Sequence, residues 1–230
     1  MALTTNKLVS DIRNIATSGS NPVEFKIEDS QILFWCNEIR SMLIGQQLAK
    51  RADVSDIWLQ TIGCLELEQV DSSECCEIET NCTILRTVRE IPATIETSEI
   101  NNIYAVETPL GELISKTNSD EERYLKYSKY TSTKPYWFLK NNRIYIINND
   151  FLTHINIDGI FEDPYELKDY VGCDESTCFS WNSNYPCSLK MANEITNIVL
   201  KTKVYPFLQL PADNTNDASN TPPAANTKNL

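Results

Sequence analysis

The strongest constraint on the fold is an apolar stretch at residues 29–51 whose spacing is helical. Side chains that suit a buried face recur there at three- and four-residue steps, which is the period of one helix face. They are Ile32, Trp35, Cys36, Ile39, Met42, Leu43 and Gln46. Four further apolar residues, Leu33, Phe34, Ile44 and Leu48, widen this face into an arc with two apolar sides. We expect Asp29 or Ser30 to cap the helix, and Glu38 and Arg40 to flank the buried stripe.

A helix with two apolar sides needs two partners. We expect one side to pack in the core of the subunit and the other against a second subunit. The candidate residues for this core and subunit packing are Trp35, Ile39, Met42 and Leu43. Shorter helices are predicted after a Thr4 or Thr5 cap, at residues 56–62 and at residues 188–203. The last of these is expected to pack back on the N-terminal helices.

From Gly63 onward the apolar pattern changes to the alternation of a strand with one solvated face. Further strands are predicted near residues 83–88, 101–108 and 154–161. The clearest β signal is a hairpin at residues 136–147, because Asn141 and Asn142 suit a two-residue turn with positive φ. Its aromatic residues are the candidate ring contacts: Tyr136, Trp137, Phe138 and Tyr145.

These patterns predict an α+β fold. An N-terminal helical bundle, closed by a C-terminal helix, is expected at residues 1–62 and 186–210. A mainly antiparallel β domain is expected as an insertion at residues 63–185. Residues 211–230 are rich in Pro, Ala, Asn and Thr and lack large apolar residues before Leu230. Such a tail is expected to be disordered alone and to serve as a docking arm or a spacer.

Composition argues against several classes of function. A net charge of −12 disfavours a groove that grips nucleic acid, since phosphate binding needs clustered Lys and Arg. No stretch has the roughly 20 apolar residues of a membrane helix, and no signal peptide is recognisable at the start. His154 is the one histidine, and the sequence lacks phosphate-loop and dinucleotide-binding motifs. We therefore expect no catalytic residues, no cofactor and no membrane contact.

Eight cysteines are numerous for a chain without a secretory signal. Their spacing contains no CxxC pair, so the usual zinc patterns are missing. Reduced thiols, several of them buried, are the leading expectation, and no metal is expected. Two alternatives remain: disulfides formed after release from the cell, and a metal cluster that combines Cys75, Cys76 and Cys82 with the cysteines near Cys173.

Several segments resemble structural proteins of crAss-like tailed phages. They are Asp11-Ile12-Arg13-Asn14-Ile15-Ala16, Ile27-Glu28-Asp29, Trp35-Cys36-Asn37-Glu38-Ile39-Arg40, Ile91-Pro92 and Gly159-Ile160-Phe161-Glu162-Asp163-Pro164. The resemblance covers most of residues 3–170. It implies a virion protein of the neck between capsid and tail, a head-to-tail connector below the portal. It further implies assembly in the host cytoplasm into rings, commonly dodecamers, with β-elements that face a neighbouring ring.

The partners implied by this resemblance are further copies of the chain, the portal and other neck or tail ring proteins. Genomic DNA would pass through the ring without specific binding. An acidic channel wall suits that passage because bound phosphates would stall ejection. The alternative function is a monomeric binding module whose aromatic hairpin holds a carbohydrate or a peptide. Native mass or light scattering separates the two, since only a connector forms rings.

Overall fold

The computed structural model describes residues 3–17, 27–50, 53–71, 83–97, 100–118, 121, 125, 130 and 134–208. Within these residues the chain forms four α-helices: α1 (Thr5–Ala16), α2 (Asp29–Ala49), α3 (Leu189–Val199) and α4 (Tyr205–Leu208). A π-helical turn, Leu200–Val204, joins α3 to α4. Single 3-10 segments lie at Asp56–Trp58 and Pro164–Asp169.

The helix starts differ in how they are capped. Thr4 caps α1, because its hydroxyl accepts a hydrogen bond from the Lys7 amide at 3.3 Å. Helix α2 begins as predicted, but Glu28 occupies its N-cap position without a side-chain cap, so the expected Asp29 or Ser30 cap is wrong. Asp29 instead forms an ion pair with Arg13 of α1, which ties the two helix ends together.

The helix predicted at residues 56–62 is wrong. Only Asp56–Trp58 turns, and the chain is already a strand at Gln60. The reason lies in the packing, since Trp58 is buried in the cluster with the helices and Ile62 in the cluster of the sheet. Four residues of extended chain reach from one core to the other. The same four residues in a helix would advance the chain by only about 6 Å.

Nine strands are described: β1 (Gln60–Asp71), β2 (Thr83–Thr87), β3 (Glu96–Thr97), β4 (Ile100–Asn101), β5 (Ile103–Glu107), β6 (Ser115–Lys116), β7 (Tyr136–Lys140), β8 (Arg143–Ile147) and β9 (His154–Gly159). Seven of them form one large sheet in the order β5-β9-β1-β2-β8-β7-β6, and β3 pairs with β4. Neighbours in the large sheet are antiparallel except for β6 and β7.

The large sheet is nearly closed. The segment before β6 returns to the opposite edge strand, where Leu113 bridges Glu107 and the Ile114 amide donates to the Val106 carbonyl at 2.8 Å. The predicted hairpin is confirmed, with β7 and β8 joined by Asn141 and Asn142 at φ values of 50° and 55°. Positive φ at both positions is what a two-residue turn of this kind requires.

Three clusters of buried apolar residues stabilise the chain. The first joins α1, α2, α3 and the π-helical turn, with Ile12, Ile44 and Ile195 fully buried. The second fills the inner side of the large sheet around Ile62, Ile144 and Ile155. The third is small and lies on the other face of β2, β7 and β8, where Leu125 packs against it.

The fold is therefore mixed α+β, as predicted. The division into residues 1–62 with 186–210, residues 63–185 and residues 211–230 remains a prediction. The boundary placed after residue 62 falls inside β1. Residues 211–230 lie outside the described residues. Of the helices described, none combines the length and the apolar character needed to span a bilayer.

Candidate functional site: a buried junction and exposed apolar surfaces

A buried arginine lies where the chain passes between the helices and the large sheet. Arg40 of α2 is fully buried, and its guanidinium donates to three backbone carbonyls. The distances are 2.9 Å from Nε to Pro186 O, 2.8 Å from Nη1 to Phe161 O and 3.4 Å from Nη2 to Trp58 O. These carbonyls mark the entry to β1, the exit from β9 and the entry to α3. The Arg40 side chain therefore binds the backbone at all three points where the chain passes between the helices and the large sheet.

Two polar neighbours on α2 extend this arrangement along the exit from β9. Ser41 Oγ donates to Glu162 O at 2.9 Å, and Asn37 Nδ2 donates to Asp163 Oδ1 at 2.7 Å. The Tyr185 hydroxyl in turn donates to Asn37 Oδ1 at 2.8 Å. We call Asn37, Arg40, Ser41 and Tyr185, with the carbonyl and carboxylate groups they bind, the junction.

The expectation that Arg40 flanks the buried stripe is wrong, because the guanidinium is the centre of the junction. A buried charge is tolerated when hydrogen bonds replace its hydration, and the five N–H donors of arginine can serve several carbonyls at once. The signal was available in the sequence. Asn37, Arg40 and Ser41 share one side of an otherwise apolar helix, at the i, i+3 and i+4 spacing of a polar stripe.

Burial at the junction raises the pKa of the cysteine thiols there and so lowers their reactivity. Burial, reinforced by nearby Cys187, raises the pKa of the Cys36 thiol to about 12. Burial likewise raises the pKa of Cys187 to about 11, against the opposing effect of the Arg40 charge. The pKa of Tyr185 lies well above its usual value for the same reason, and burial lowers that of Arg40. Neither thiol forms a thiolate near neutral pH, so these cysteines act as small buried groups.

Helix α2 turns a second side away from the core, and the candidate packing residues divide between the two sides. Ile39 and Leu43 are buried among the helices, whereas Met42 is 44% exposed. Trp35 is partly buried and contacts Phe207 of α4 edge to face, with ring centroids 6.2 Å apart. Phe34 lies on the same outward side and is 58% exposed.

An ion pair borders this outward side. Glu38, between Phe34 and Met42 on the helix surface, accepts from Lys203 Nζ at 2.9 Å. The π-helical turn carries Lys203 and leads into α4, whose Phe207 is exposed. We call Phe34, Trp35, Met42 and Phe207 the outer surface of α2. The predicted second apolar side exists in the described chain, and its role in subunit contact remains a prediction.

The aromatic residues of the hairpin lie mainly inside the subunit. Trp137 points to the inner cluster of the large sheet, while Phe138 stacks on Tyr145 in the outer cluster at 5.2 Å between ring centroids. All three side chains are buried, and Tyr136 is partly buried. The candidate ring contacts thus pack on their own subunit first, and their contact with a neighbour stays a prediction. A buried hairpin also offers little surface to a carbohydrate.

A disulfide joins Cys64 to Cys173 across 109 residues of sequence. Cys64 has a φ of 52° and lies where the β1–β9 register shifts, and its amide donates to Asn156 Oδ1 at 3.0 Å. Gly63 and Gly172 lie beside the bond, and a Cβ on Gly63 would be in ordinary contact with the Gly172 Cα at 3.5 Å.

The expectation of reduced thiols is therefore wrong for this pair. Cys36, Cys178 and Cys187 are free, and Cys75, Cys76 and Cys82 lie outside the described residues. The spacing of Cys64 and Cys173 in the sequence gives no hint of their contact, because Cys64 lies at the shift in the β1–β9 register.

The described residues do not assemble the groups that metal binding needs. Within them, no three His, Cys, Asp or Glu side chains lie close enough together to hold a metal ion. His154 shares a hydrogen bond of 3.0 Å with the neighbouring Thr153 hydroxyl, at the surface. The features that stand out among the described residues are packing surfaces.

Comparison with known proteins agrees with that character. Residues 7–224 match the family described as phage tail ring protein 2, a family of crAss-like phages. No curated protein matches the chain. The match extends beyond the segments that carried the resemblance and includes most of residues 171–230. The chain therefore belongs to the phage tail ring protein 2 family, whose members are structural ring proteins of the virion.

Proposed function

We propose that this chain is a non-enzymatic head-to-tail connector that assembles into a ring in the neck, joins the portal to the tail and forms part of the DNA channel. The observation that carries the proposal is the family match over residues 7–224, since ring proteins self-associate and contact other tail components. The net charge of −12 supports a channel role, because an acidic wall repels passing phosphates. The proposed ring is a dodecamer assembled in the host cytoplasm.

The outer surface of α2 is the proposed contact between copies of the chain. Phe34 and Met42 are more exposed than large apolar residues of a core, and Trp35 on the same side of α2 contacts Phe207 of α4. The first apolar cluster supports the opposite side of the same helix, so the surface is held on a rigid element. A ring needs two different patches, one at each side of the subunit, and this surface supplies one of them.

The proposed organisation assigns the helices to the ring and the large sheet to contacts above or below it. Residues 1–62 and 186–210 would form the helical core, residues 63–185 the insertion and residues 211–230 a docking arm. The junction supports this division, since Arg40 binds at each described passage between helices and sheet. A fixed orientation between the two parts is what a stacked ring requires.

The test is the mass of the purified protein and of two matched variants. Phe34→Ser with Met42→Ser removes apolar area from the outer surface of α2 without touching the core. We expect wild type to form a ring by native mass spectrometry, and the double variant to dissociate at least tenfold more readily. Ile57→Ser, which changes an exposed apolar residue outside the outer surface of α2, is the control and should leave the ring intact. A double variant that forms the same ring at the same concentration contradicts the proposed contact.

A further inference from the structure

The end of the large sheet opposite the helices carries two turns that lie side by side. Strand β1 starts beside the helices at Gln60 and runs away from them to Asp71. Strand β9 is antiparallel to β1 and β5, so residues 148–153 before β9 and residues 108–112 after β5 both lie at the remote end. Gln69 Nε2 donates to Asp150 O at 3.4 Å and confirms that the turn 148–153 reaches this part of β1. We call it the far end.

The far end presents the most exposed large apolar side chains of the described residues. Phe151 is 94% exposed and Leu110 is 90% exposed, with Leu113 at 70%. A single exposed apolar residue is ordinary, but these lie in neighbouring turns of one sheet. An aromatic and an aliphatic side chain held clear of the subunit have the chemistry of interface anchors.

Local hydrogen bonds hold these anchors in place. Asn149 Oδ1 accepts from the Phe151 amide at 3.0 Å, which fixes the turn that carries the aromatic ring. In the other turn, Gly111 has a φ of 83° and its amide donates to Thr108 O at 2.9 Å. The Thr108 hydroxyl accepts from the Glu112 amide at 3.2 Å. Turns that are already ordered lose little entropy when they bind.

The charge of the far end is acidic. Glu107, Glu112 and Asp150 are the charged residues of the two turns and their flanks. Asp71, the last residue of β1, adds a further carboxylate at this end. Lys134, before β7, is a basic residue at the same end. Acidic groups around apolar anchors repel phosphates and repel a second copy of the same surface.

We infer that the far end is the docking surface for a different virion protein, one with an apolar pocket bordered by Lys and Arg. Phe151 and Leu110 enter the pocket, and Glu112 and Asp150 pair with its basic border. The inference rests on the proposed connector function and deepens it, because it assigns the contact to named residues and to a partner of stated charge. Contact between copies of this chain stays with the outer surface of α2.

The test uses virions assembled without the native chain and supplied with a variant. Leu110→Ser with Phe151→Ser should lower incorporation at least tenfold, as expected when anchors worth 1.4 kcal/mol or more are lost. Glu112→Lys with Asp150→Lys should do the same. Ile57→Ser with Leu189→Ser, which removes exposed apolar groups elsewhere on the subunit, should leave incorporation unchanged. Normal incorporation of either far-end variant overturns the inference.

Photo-cross-linking from position 151 is a second measurement, and it does not depend on the folding of the serine or lysine variants. A benzophenone amino acid replaces Phe151, and intact virions are irradiated before peptide mass spectrometry. The expected cross-link joins position 151 to another virion protein, at a segment that contains Lys or Arg. A cross-link to a second copy of this chain, to DNA or to nothing overturns the inference. Native mass spectrometry of the purified proteins separates the two proposals. Wild type that forms no ring means failure of the connector proposal, whereas a wild-type ring that is lost in the far-end variants overturns the inference alone.

Discussion

The two ends of the large sheet differ in which side chains they bury and which they expose. At the end beside the helices, polar side chains are buried, and the Arg40 guanidinium binds backbone carbonyls at distances of 2.8–3.4 Å. At the far end, Leu110 and Phe151 lie in solvent on turns that local hydrogen bonds hold in place. The first arrangement fixes the relation of helices to sheet within one subunit. The second leaves apolar area for another molecule.

This difference separates stability from assembly. Substitutions at the junction should lower the free energy of unfolding because they leave buried groups without partners. Substitutions at the far end should leave it unchanged, because the side chains of Leu110 and Phe151 are 90% and 94% exposed. Measurements of stability and of assembly on the same variants therefore test whether the two ends have separate roles.

The largest effect is expected for Arg40→Ala. It leaves three buried carbonyls without their donor and opens a cavity, which should lower the free energy of unfolding by about 3–5 kcal/mol. Arg40→Lys should recover little, since one ammonium cannot reach all three carbonyls. Urea denaturation monitored by tryptophan fluorescence gives both values, with the exposed Lys190→Ala as control. Wild-type stability of Arg40→Ala would show that the junction does not fix the two parts.

The next effect concerns the disulfide. Cys64→Ser with Cys173→Ser should cost about 2–4 kcal/mol, because the bond closes a long loop in the unfolded chain. Cys178→Ser, a partly buried free thiol in the same region, should cost much less. Thiol titration of the denatured protein should give at least two more thiols after reduction than before it. Equal counts would mean that the pair is reduced in the isolated protein.

A smaller loss is expected for Tyr185→Phe. The change keeps the buried ring and removes only the hydroxyl that donates to Asn37, so the cost should be about 1–2 kcal/mol. The thermal midpoint measures it, with Tyr136→Phe on the sheet as the control. A loss as large as that of Arg40→Ala would mean that the tyrosine rather than the arginine holds the junction.

The sequence predicted local structure well at the junction and the sheet. Helix α2, the β7–β8 hairpin and the capped helix after Ser188 each follow from spacing and turn residues within a few positions. The contacts of Arg40 could not be predicted, because its acceptors lie 18, 121 and 146 residues away. Charged residues on a helix are mostly exposed, so the pattern favoured a solvated position.

The candidate surfaces were predictable in part. Two apolar sides of α2 follow from composition, but which of Trp35, Ile39, Met42 and Leu43 faces outward depends on where the other helices pack. The hairpin aromatics alternate between the two faces of the sheet as a strand requires, yet the sequence could not show that both faces are covered. Leu110 and Phe151 lie in separate turns of the sequence, and only the strand register places both at one end of the sheet.

The smallest effect on stability is expected at the far end itself. Leu110→Ser with Phe151→Ser should change the free energy of unfolding by less than about 0.5 kcal/mol, because both side chains are already in solvent. Differential scanning calorimetry beside wild type measures the difference. A loss of several kcal/mol would show that these residues belong to the core of the subunit.

The central claim is that the chain is a ring-forming connector, and averaged projection images of the purified full-length protein test it most directly. The account predicts closed rings with a central opening, of one size, that persist when the far-end residues are substituted. It also predicts that substitution of Phe34 and Met42 breaks the rings into single subunits. Single subunits of wild type at every concentration imaged would contradict the account.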